Sequence, residues 1–246
     1  MNMAIDEAIL TARLSNMVPN TLRLYRWQPS AVSIGKNQNP QDAVYIEECR
    51  KQGVDVVRRI SGGGAVLHSA DGEVTYSVIA KTASVGKNIP EVYQRIYAAI
   101  ADALRLLGIS ADYNIGDEKN CPNLTVNGKK ISGSAQVIRK GTVLQHGTVL
   151  LDVDFEKMFT LLRVPWAKNC MQVAGIARGK MTSIREMLGH VVSAETLSNA
   201  LSLGFKNALR IQLVAGELTP SELDVVGKLC REKYATDAWN FEGKDT

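Results

Sequence analysis

Short runs of alternating apolar and polar positions dominate the chain up to about residue 151, and this period of two is typical of half-buried β-strands. Residues 22–27 alternate apolar side chains with arginine, and residues 73–80 alternate them with hydroxyl-bearing side chains. Strands are predicted over residues 22–27, 31–34, 54–59, 73–80, 124–126, 130–139 and 142–151. Asn127 and Gly128 separate two of these strands, and this dipeptide favours a tight hairpin.

Apolar residues at helical spacing predict helices elsewhere in the chain. A first helix is expected over residues 3–14 and a second over residues 42–52. Pro90 and Gly108 mark the two ends of a long helix over residues 91–107. Beyond residue 151 the pattern becomes mainly helical, with helices predicted over residues 155–163, 194–209 and 220–233.

The order of these elements and the composition together favour one α+β domain. Strands joined by hairpins precede the helices, whereas a strictly alternating α/β chain would interleave them. The 246 residues are 45% hydrophobic and 22% charged, which excludes a wholly disordered protein and fits one domain over residues 1–246 with a small helical cap. A net charge of +4 is too small to indicate a nucleic-acid-binding protein.

Neither a membrane span nor an export signal is expected. No apolar run approaches the ~18 residues of a membrane span, and residues 1–14 carry acids instead of a signal-peptide pattern. The cysteines have no CxxC or CxxH spacing, so neither a zinc site nor a disulfide framework is predicted for Cys49, Cys121, Cys170 and Cys230. A cytoplasmic protein is therefore predicted, in which one cysteine could serve as a nucleophile.

The most informative segment is residues 58–68, RRISGGGAVLH. Three consecutive glycines suit a close approach or a positive φ, and their amides can bind an anion. Arg58 and Arg59 add positive charge that can grip a carboxylate or phosphate. The spacing fits neither a P-loop nor a dinucleotide fingerprint. An acyl carboxylate or phosphate site is predicted, the alternative being a hairpin tip with solvated arginines and His68 as a structural histidine.

A second informative segment follows the Asn-Gly turn and contains adjacent lysines. Strand alternation places Lys130 on one face with Ser132 and Ser134, and Lys129 on the other face with Ile131. Lys130 is predicted to point into a cleft if Ile131 fills the core. There its ammonium would stabilise charge that develops on a carbonyl or phosphoryl oxygen. The alternative is that both lysines lie on a solvated hairpin.

The strand that follows carries further polar candidates. His146 and Thr148 share one face, opposite Gln145. Gly133, between the two serines, leaves room for a ligand or a neighbouring strand. His190 is interpreted as a turn or packing residue.

Six sequence blocks, taken in order, resemble the superfamily of lipoate–protein ligase A, octanoyltransferases and biotin–protein ligases. They span nearly the whole chain and read NMAIDEAIL, LRLYRWQPSAVSIGKNQ, RRISGGGAVLHSADGEVTYSV, VNGKKISGSAQ, LQHGTVLLDVD and EKYATDAWNF. The resemblance implies a class II synthetase/biotin–lipoate ligase-like fold, in which helices flank a mixed, largely antiparallel sheet. This agrees with the α+β prediction.

The resemblance also implies a reaction. Lipoate–protein ligases convert lipoate and ATP into lipoyl-adenylate and pass the acyl group to a lysine of a lipoyl carrier domain. We therefore predict a lipoate–protein ligase that activates lipoate or octanoate, with ATP and Mg²⁺ as cofactors. Its partners would be the lipoyl domain of a 2-oxoacid dehydrogenase E2 or the glycine cleavage H protein. A separate accessory protein would supply the additional domain that full-length bacterial ligases carry.

Site residues follow from the same resemblance. Lys130 matches the lysine that contacts the acyl-adenylate and is the predicted catalytic residue. Substrate contacts are expected from Arg59, Ser61, Gly62, Gly63, Gly64, Ala65, Val66, His68, Ser132, Gly133, Ser134, Ala135, His146, Gly147 and Thr148. Nucleotide contacts are expected from Arg59, Asn123, Lys130 and Thr148. No metal ligand is assigned.

Two departures from the family pattern bear on the reaction. Many ligases carry Asn-Asp where this chain has Pro122 and Asn123, so an amide replaces a carboxylate that would help position adenylate or Mg²⁺. Relatives also usually have a strand before the first helix, so the sequence is expected to begin late.

The main alternative is an ATP-independent octanoyltransferase that takes octanoyl from acyl carrier protein through a thioester on Cys121. One octanoyltransferase class carries its cysteine farther upstream, so Cys121 aligns with it only across a gap. The thiol also needs a lowered pKa, which Lys119, Lys129 and Lys130 could supply. Otherwise Cys121 is incidental. Biotin ligation and a non-catalytic sensor of carrier protein or nucleotide are the remaining alternatives.

Overall fold

The computed structural model describes residues 1–117, 121–164, 167 and 169–244. Nine strands lie in this part of the chain. They are β1 Thr21–Tyr25, β2 Ala31–Ile34, β3 Asp55–Arg58, β4 Val66–His68, β5 Glu73–Lys81, β6 Asp112–Asn114, β7 Asn123–Val126, β8 Lys129–Arg139 and β9 Thr142–Leu150.

Helices surround these strands. They are α1 Asn2–Leu14, α2 Pro40–Ala43, α3 Ile46–Lys51, α4 Thr82–Val85, α5 Ile89–Leu106, α6 Phe155–Leu161, α7 Cys170–Lys180, α8 Ile184–Leu188, α9 Ala194–Leu209, α10 Pro220–Leu229 and α11 Asp237–Asn240. A π-helical turn, Cys230–Tyr234, follows α10. Within the described ranges, no helix is both long enough and apolar enough to cross a membrane.

Two sheets organise the fold. The larger has six strands in the order β1-β5-β9-β8-β7-β6, and all its neighbours are antiparallel. The smaller has the order β3-β2-β4, with β2 parallel to β3 and antiparallel to β4. The predicted α+β class, with helices around a mixed and largely antiparallel sheet, is confirmed.

The two faces of the large sheet pack against different helices. On one face, alternate residues of β5 such as Tyr76 and Val78 join the apolar sides of α5 and α9. On the other face, Ile79 and Leu144 pack against α1, and α10 packs outside α1. Central strands β5 and β9 are therefore buried on both sides. This second face, between the large sheet and the small one, also holds the candidate site.

Most predicted elements are present, and the main error is the helix predicted over residues 42–52. It is divided into α2 and α3 because Val44 forms a β-bridge with Leu162 and the Tyr45 amide donates to the Leu161 carbonyl. Such contacts between distant residues leave no local signal. The short strands β4 and β6 and the helix α7 were also not predicted. The hairpin turn is confirmed by positive φ angles of 50° at Asn127 and 76° at Gly128.

A β-bulge changes which residues share a face of β8. Thr125 pairs with Lys130, but Leu124 pairs with Ser132, so Ile131 is an extra residue in the ladder. Ile131 is fully buried in the same core as Leu124. Because a bulge reverses the alternation beyond it, Lys130 and Ser132 lie on opposite faces. The prediction that Lys130 shares a face with Ser132 and Ser134 is wrong.

Candidate active site

The glycine-rich loop spans residues 59–64, between β3 and β4. Gly62, Gly63 and Gly64 are exposed, whereas Ile60 and Ser61 are buried. Gly63 has a φ of 95°, which favours glycine. Its carbonyl oxygen lies only 2.0 Å from where a Cβ on Gly35 would stand, so the loop packs directly against the end of β2. The backbone amides and carbonyls of these glycines are therefore accessible to solvent, while the loop is held by its packing against β2.

Both arginines of the loop are buried, so the alternative with solvated arginines is wrong. Arg58 donates to the carbonyls of Gly35, Lys36, Gln38 and Trp239. Arg59 donates through Nη2 to the carbonyls of Gly62 and Gly64, at 2.6 and 2.8 Å, and through Nη1 to Ser33. Burial lowers the pKa of Arg59 to about 10. Arg59 therefore braces the loop from inside, and its predicted contact with substrate or nucleotide stays a prediction.

His68 on β4 is locked into a buried hydrogen-bonded array. Its Nε2 lies 2.8 Å from the Ser33 hydroxyl and its Nδ1 lies 2.7 Å from Glu73 Oε1. Its ring stacks on Trp27 at a centroid distance of 4.2 Å. With both nitrogens engaged inside the protein, the geometry matches the structural interpretation of this histidine.

A second array joins the glycine loop to the large sheet. His146 on β9 places its Nε2 2.6 Å from the Ser61 hydroxyl and its Nδ1 3.5 Å from Asp6 Oδ2. Asp6, on α1, also accepts hydrogen bonds from Arg23, Tyr25 and Ser77. Burial lowers the pKa of His146, although Asp6 opposes this effect. The imidazole is therefore neutral at pH 7.

Lys130 is the lysine that faces the loop side of the sheet. Lys129 is held by Glu186 at 2.9 Å, whereas Lys130 is exposed and makes no ion pair in the described part of the chain. Its side chain passes over Gly133, where a Cβ would lie 2.5 Å from Nζ. The protein around the amine displaces water and lowers its pKa. Its backbone carbonyl accepts from the Thr182 amide at 2.9 Å.

Cys121 lies close to this lysine. The thiol is exposed, and negative charge on it raises the pKa of both Lys130 and Arg59, so the three groups are within electrostatic range. Hydrogen bonds hold its segment: Tyr97 Oη donates to the Pro122 carbonyl at 2.9 Å and Asn123 Nδ2 to the Cys121 carbonyl at 3.2 Å. Of the lysines predicted to activate Cys121, Lys119 lies outside the described residues and Lys129 is paired with Glu186.

Cys49 has different surroundings. Cys49 is completely buried, and burial raises its pKa to about 11. A thiol of that kind is protonated and inert at neutral pH. Exposed Cys121 therefore differs from Cys49, which is the cysteine most clearly buried for structural reasons.

Several of the remaining predicted substrate residues lie in the glycine loop, in β4 or on the side of the large sheet that faces the loop. Ala135 faces the loop, 4.0 Å from where a Cβ on Gly63 would stand. Thr148 is paired with Gly133 on the same side and is buried. Gly64 and Ala65 line a cavity of about 410 Å³ together with apolar Phe159, Leu162 and Val164. Val66, the first residue of β4, is half-buried.

Ser132, Ser134 and Gly147 lie toward α5 instead. The Ser134 hydroxyl is 2.8 Å from Tyr97 Oη and accepts from Gln145 at 3.2 Å. A Cβ on Gly147 would lie 2.8 Å from Tyr76 Oη. These residues form a buried polar layer beneath the site, and their predicted contacts with substrate stay predictions.

Two supporting residues were not recognised in the sequence. Asp6 anchors the array of His146, and Tyr97 anchors the segment of Cys121. The signal for Asp6 is an acid flanked by the buried residues Ala4 and Ile9 in α1, where burial needs a polar partner. Tyr97 lies on the buried side of α5 and gives no signal beyond its apolar neighbours.

The described residues form no metal site from protein side chains alone. They contain no group of three or more His, Cys, Asp or Glu side chains close enough to hold a metal ion. At the position where ligases carry a carboxylate, Asn123 is buried and its amide is bonded to the Cys121 carbonyl. The chemistry of this site is therefore derived from the side chains alone.

Comparisons with known proteins point in one direction. The family model of the lipoyl protein ligase A/B catalytic domain matches residues 1–206. An octanoyltransferase LipM from Brevibacillus brevis is 37% identical over 98% of this chain and 94% of its own length. The octanoyltransferase LipM of Bacillus subtilis is 34% identical over 98% of this chain and 93% of its own length.

Solved structures of lipoate ligases share the fold. A bipartite lipoate protein ligase from Thermoplasma acidophilum has a TM-score of 0.85 and 29% identity, covering 100% of this chain and 92% of that chain. A lipoate-protein ligase A bound with ATP has a TM-score of 0.84 and 27% identity, covering 98% of this chain and 93% of that chain. The predicted superfamily is confirmed.

The predicted reaction is wrong in its ATP-dependent form. The relatives that are 34% to 38% identical over almost the full length are named octanoyltransferases, not ligases. ATP and Mg²⁺ as cofactors thereby lose their support. So does the separate accessory protein, which was inferred from the ligases alone. What stands is an enzyme of the lipoate ligase and octanoyltransferase superfamily, concerned with lipoylation.

Proposed function

The chain belongs to the lipoyl protein ligase A/B catalytic domain family, and from that premise we propose that it is an octanoyltransferase. It takes an octanoyl group from the thioester of acyl carrier protein onto Cys121 and passes it to a lysine of a lipoyl carrier domain. The names of its relatives support the reaction. The observation that carries the proposal is an exposed thiol within electrostatic range of Lys130.

The first step forms an acyl-enzyme. The Cys121 thiol passes its proton to the Lys130 amine, and the resulting thiolate attacks the carbonyl carbon of the donor thioester. The Lys130 ammonium then lies beside the oxyanion that develops on the carbonyl oxygen and stabilises it. The bond to the carrier sulfur breaks, and that sulfur takes the proton back from Lys130. A lowered Lys130 pKa assists this exchange, because a proton carrier works best when its pKa approaches the working pH.

The second step transfers the acyl group to the protein substrate. The amine of the target lysine attacks the thioester carbonyl, so a C–N bond forms and the bond to Cys121 Sγ breaks. The proton released by the amine reaches the departing thiolate through Lys130. No cofactor is consumed, because the energy of the amide bond comes from the donor thioester.

The loop and its neighbouring cavity provide the binding surface. Exposed amides of the glycine loop can bind an acyl or carrier oxygen. The cavity of about 410 Å³ that begins at Gly64 and Ala65 is lined by apolar Phe159 and Leu162 and also by polar side chains, among them Asp42 and Arg163. We assign it to the octanoyl chain, which would pack against the apolar part of this lining.

The protein acceptors are the lipoyl domain of a 2-oxoacid dehydrogenase E2 or the glycine cleavage H protein. We propose that the reaction takes place in the cytoplasm, because the proposed mechanism needs a reduced thiol and that compartment keeps thiols reduced. The lysine of the acceptor must reach Cys121 at the surface, which the exposure of this residue allows.

Acylation of the enzyme tests the proposal directly. The chain is mixed with octanoyl-[acyl carrier protein] in the absence of ATP, and its intact mass is followed before an apo lipoyl domain is added. One octanoyl adduct per chain is expected, labile to hydroxylamine and discharged by the lipoyl domain. Cys121→Ser should abolish it, whereas the matched variant Cys170→Ser should not. An adduct that persists in Cys121→Ser, or none in the wild type, refutes the reaction.

A further inference from the structure

We propose that His146 is a positioning residue: it acts through the Ser61 hydroxyl to hold the glycine loop against the large sheet, and it makes no contact with the transferred acyl group. Its effect on rate rests on the proposed function, but its effect on the loop does not. This role differs from the substrate contact that resemblance implies for the same histidine.

Both polar atoms of His146 face polar groups of the protein itself. Its Nε2 is 2.6 Å from Ser61 Oγ and its Nδ1 is 3.5 Å from Asp6 Oδ2. All three side chains are deeply buried, with exposed fractions of 7% for His146 and 1% for both Ser61 and Asp6. A buried polar side chain whose two nitrogens both have partners affects the structure through those partners.

Asp6 sets the direction of the hydrogen bonds. Burial opposes its ionisation, but the charge of Arg23 and hydrogen bonds from His146 and Ser77 lower its pKa overall, so it is a carboxylate. The neutral imidazole then turns its Nδ1–H toward Asp6, which leaves Nε2 as an acceptor. Ser61 therefore donates its hydroxyl proton to Nε2.

Charged and titratable groups reach this array from every neighbouring element. They are Asp6 on α1, Arg23 and Tyr25 on β1, Arg59 in the loop, His68 on β4 and Glu73 on β5. Burial, with a smaller effect of Arg59, lowers the pKa of His146, whereas Asp6 favours its charged form.

Ser61 is well placed to transmit the effect. It is the residue directly before the three exposed glycines, which have no side chains of their own to hold them. Its carbonyl also accepts from the Lys36 amide at 2.9 Å. Arg59 braces the loop toward β2, and the bond from Ser61 to His146 ties it to β9. Losing this bond frees the side of the loop that faces Cys121 and Lys130.

Amide hydrogen exchange tests the positioning role without any substrate. In Ser61→Ala and in His146→Gln, amides of residues 61–65 should exchange about tenfold faster, as expected for the loss of one buried hydrogen bond. The double variant should show no more than the larger single effect, because the two side chains act as one unit. His190→Gln, which changes an exposed histidine, should leave the loop unchanged.

Two exchange results overturn the inference. One is wild-type exchange of the loop in both single variants. The other is a double variant in which the two effects multiply, since His146 would then act independently of Ser61. Circular dichroism and urea unfolding first establish that each variant is folded, and Ser61→Ala alone still decides the question if His146→Gln does not fold.

The pH profile of acylation supplies a second readout. Protonation of His146 turns Nε2 into a donor, so the hydrogen bond to Ser61 is reversed and the Ser61 proton must find another acceptor inside a buried site, which disturbs the arrangement of the loop. Wild-type kcat for thioester formation should fall on the acid side through protonation of both Lys130 and His146, with little change in KM, and His146→Gln should lose the His146 part of that limb. An unchanged limb contradicts the inference. If the wild type forms no thioester at all, the proposed function fails and the exchange data decide the positioning role alone.

Discussion

Lys129 and Lys130 are adjacent in sequence and have opposite surroundings. Lys129 forms an ion pair with Glu186. Lys130 lies over Gly133 and is within electrostatic range of the Cys121 thiol. The sequence favoured Lys130 on the argument that Ile131 fills the core, and Ile131 is indeed fully buried. The bulge, and not simple strand alternation, turns Lys130 to the face of the loop, and its catalytic role stays a prediction.

Lys130→Ala should lower the rate of thioester formation at Cys121 by roughly 10²–10³, the usual effect of removing a group that stabilises an oxyanion or moves a proton. Lys129→Ala is the matched control and should cost at most ~1 kcal/mol of stability, since it removes a partly exposed ion pair. Stopped reactions analysed by mass give both rates. Equal losses in the two variants would contradict the assignment of Lys130.

Gly133→Ala tests whether the position of the Lys130 amine matters. The new Cβ would stand 2.5 Å from both Cε and Nζ, so the flexible end of the lysine must move while the backbone need not. We expect a large loss of acylation rate with little change in the urea midpoint. Gly175→Ala is the control, since a Cβ there meets nothing within 4 Å. A fully active Gly133→Ala would show that the lysine tolerates displacement.

At the scale of elements, the sequence pattern predicted those helices and turns that are determined by residues close together in the chain. The long helix α5 follows from its period and from Pro90 near its start, and the β7–β8 hairpin from its Asn-Gly turn. The break between α2 and α3 depends on Leu161 and Leu162, far away in the chain. The bulge at Ile131 likewise depends on how β7 meets β8, which no single strand specifies.

The packing of α5 against α9 makes a prediction at this scale. A Cβ on Gly204 would lie 2.3 Å from the Ala99 carbonyl oxygen and 2.7 Å from the Ala103 amide, both backbone atoms of α5. Gly204→Ala must therefore push the two helices apart, and we expect it to lower the free energy of unfolding by ~1–3 kcal/mol despite its better helix propensity. Urea denaturation measures this. Gly175→Ala in α7, which has open space, should not be destabilised.

At the scale of the whole molecule, the two ends of the chain meet behind the glycine loop. Lys233 and Tyr234 donate to Glu7 of α1, at 2.9 and 2.6 Å, while Trp239 and Asn240 hydrogen-bond the backbone of Arg58. Both terminal blocks contributed to the family resemblance. Their role as a scaffold could not be derived from sequence, because the partner of each residue lies far away along the chain.

The error in the reaction also belongs to this scale. Every block that indicates the superfamily serves the shared fold and loop, so the blocks cannot distinguish a ligase from an octanoyltransferase. The distinguishing positions are few. Under the proposed function they are Asn123, which stands where many ligases carry a carboxylate, and Cys121, which is exposed within electrostatic range of Lys130. Neither the exposure nor the neighbours of a thiol can be read from the spacing of residues in the sequence.

Acid stability of the whole protein is the last prediction. The pKa of His146 is lowered from 6.5 in the folded state, chiefly by burial. Below about pH 6.5 the unfolded chain therefore binds a proton that the folded chain does not, so the free energy of unfolding falls as pH falls. The carboxyl of Asp6 also has a lowered pKa, but its effect begins only near its ordinary value of 3.8. Urea midpoints at pH 7.5 and 5.5 should differ in the wild type and in His190→Gln, and differ less in His146→Gln. An identical difference in all three would show that His146 does not carry the effect.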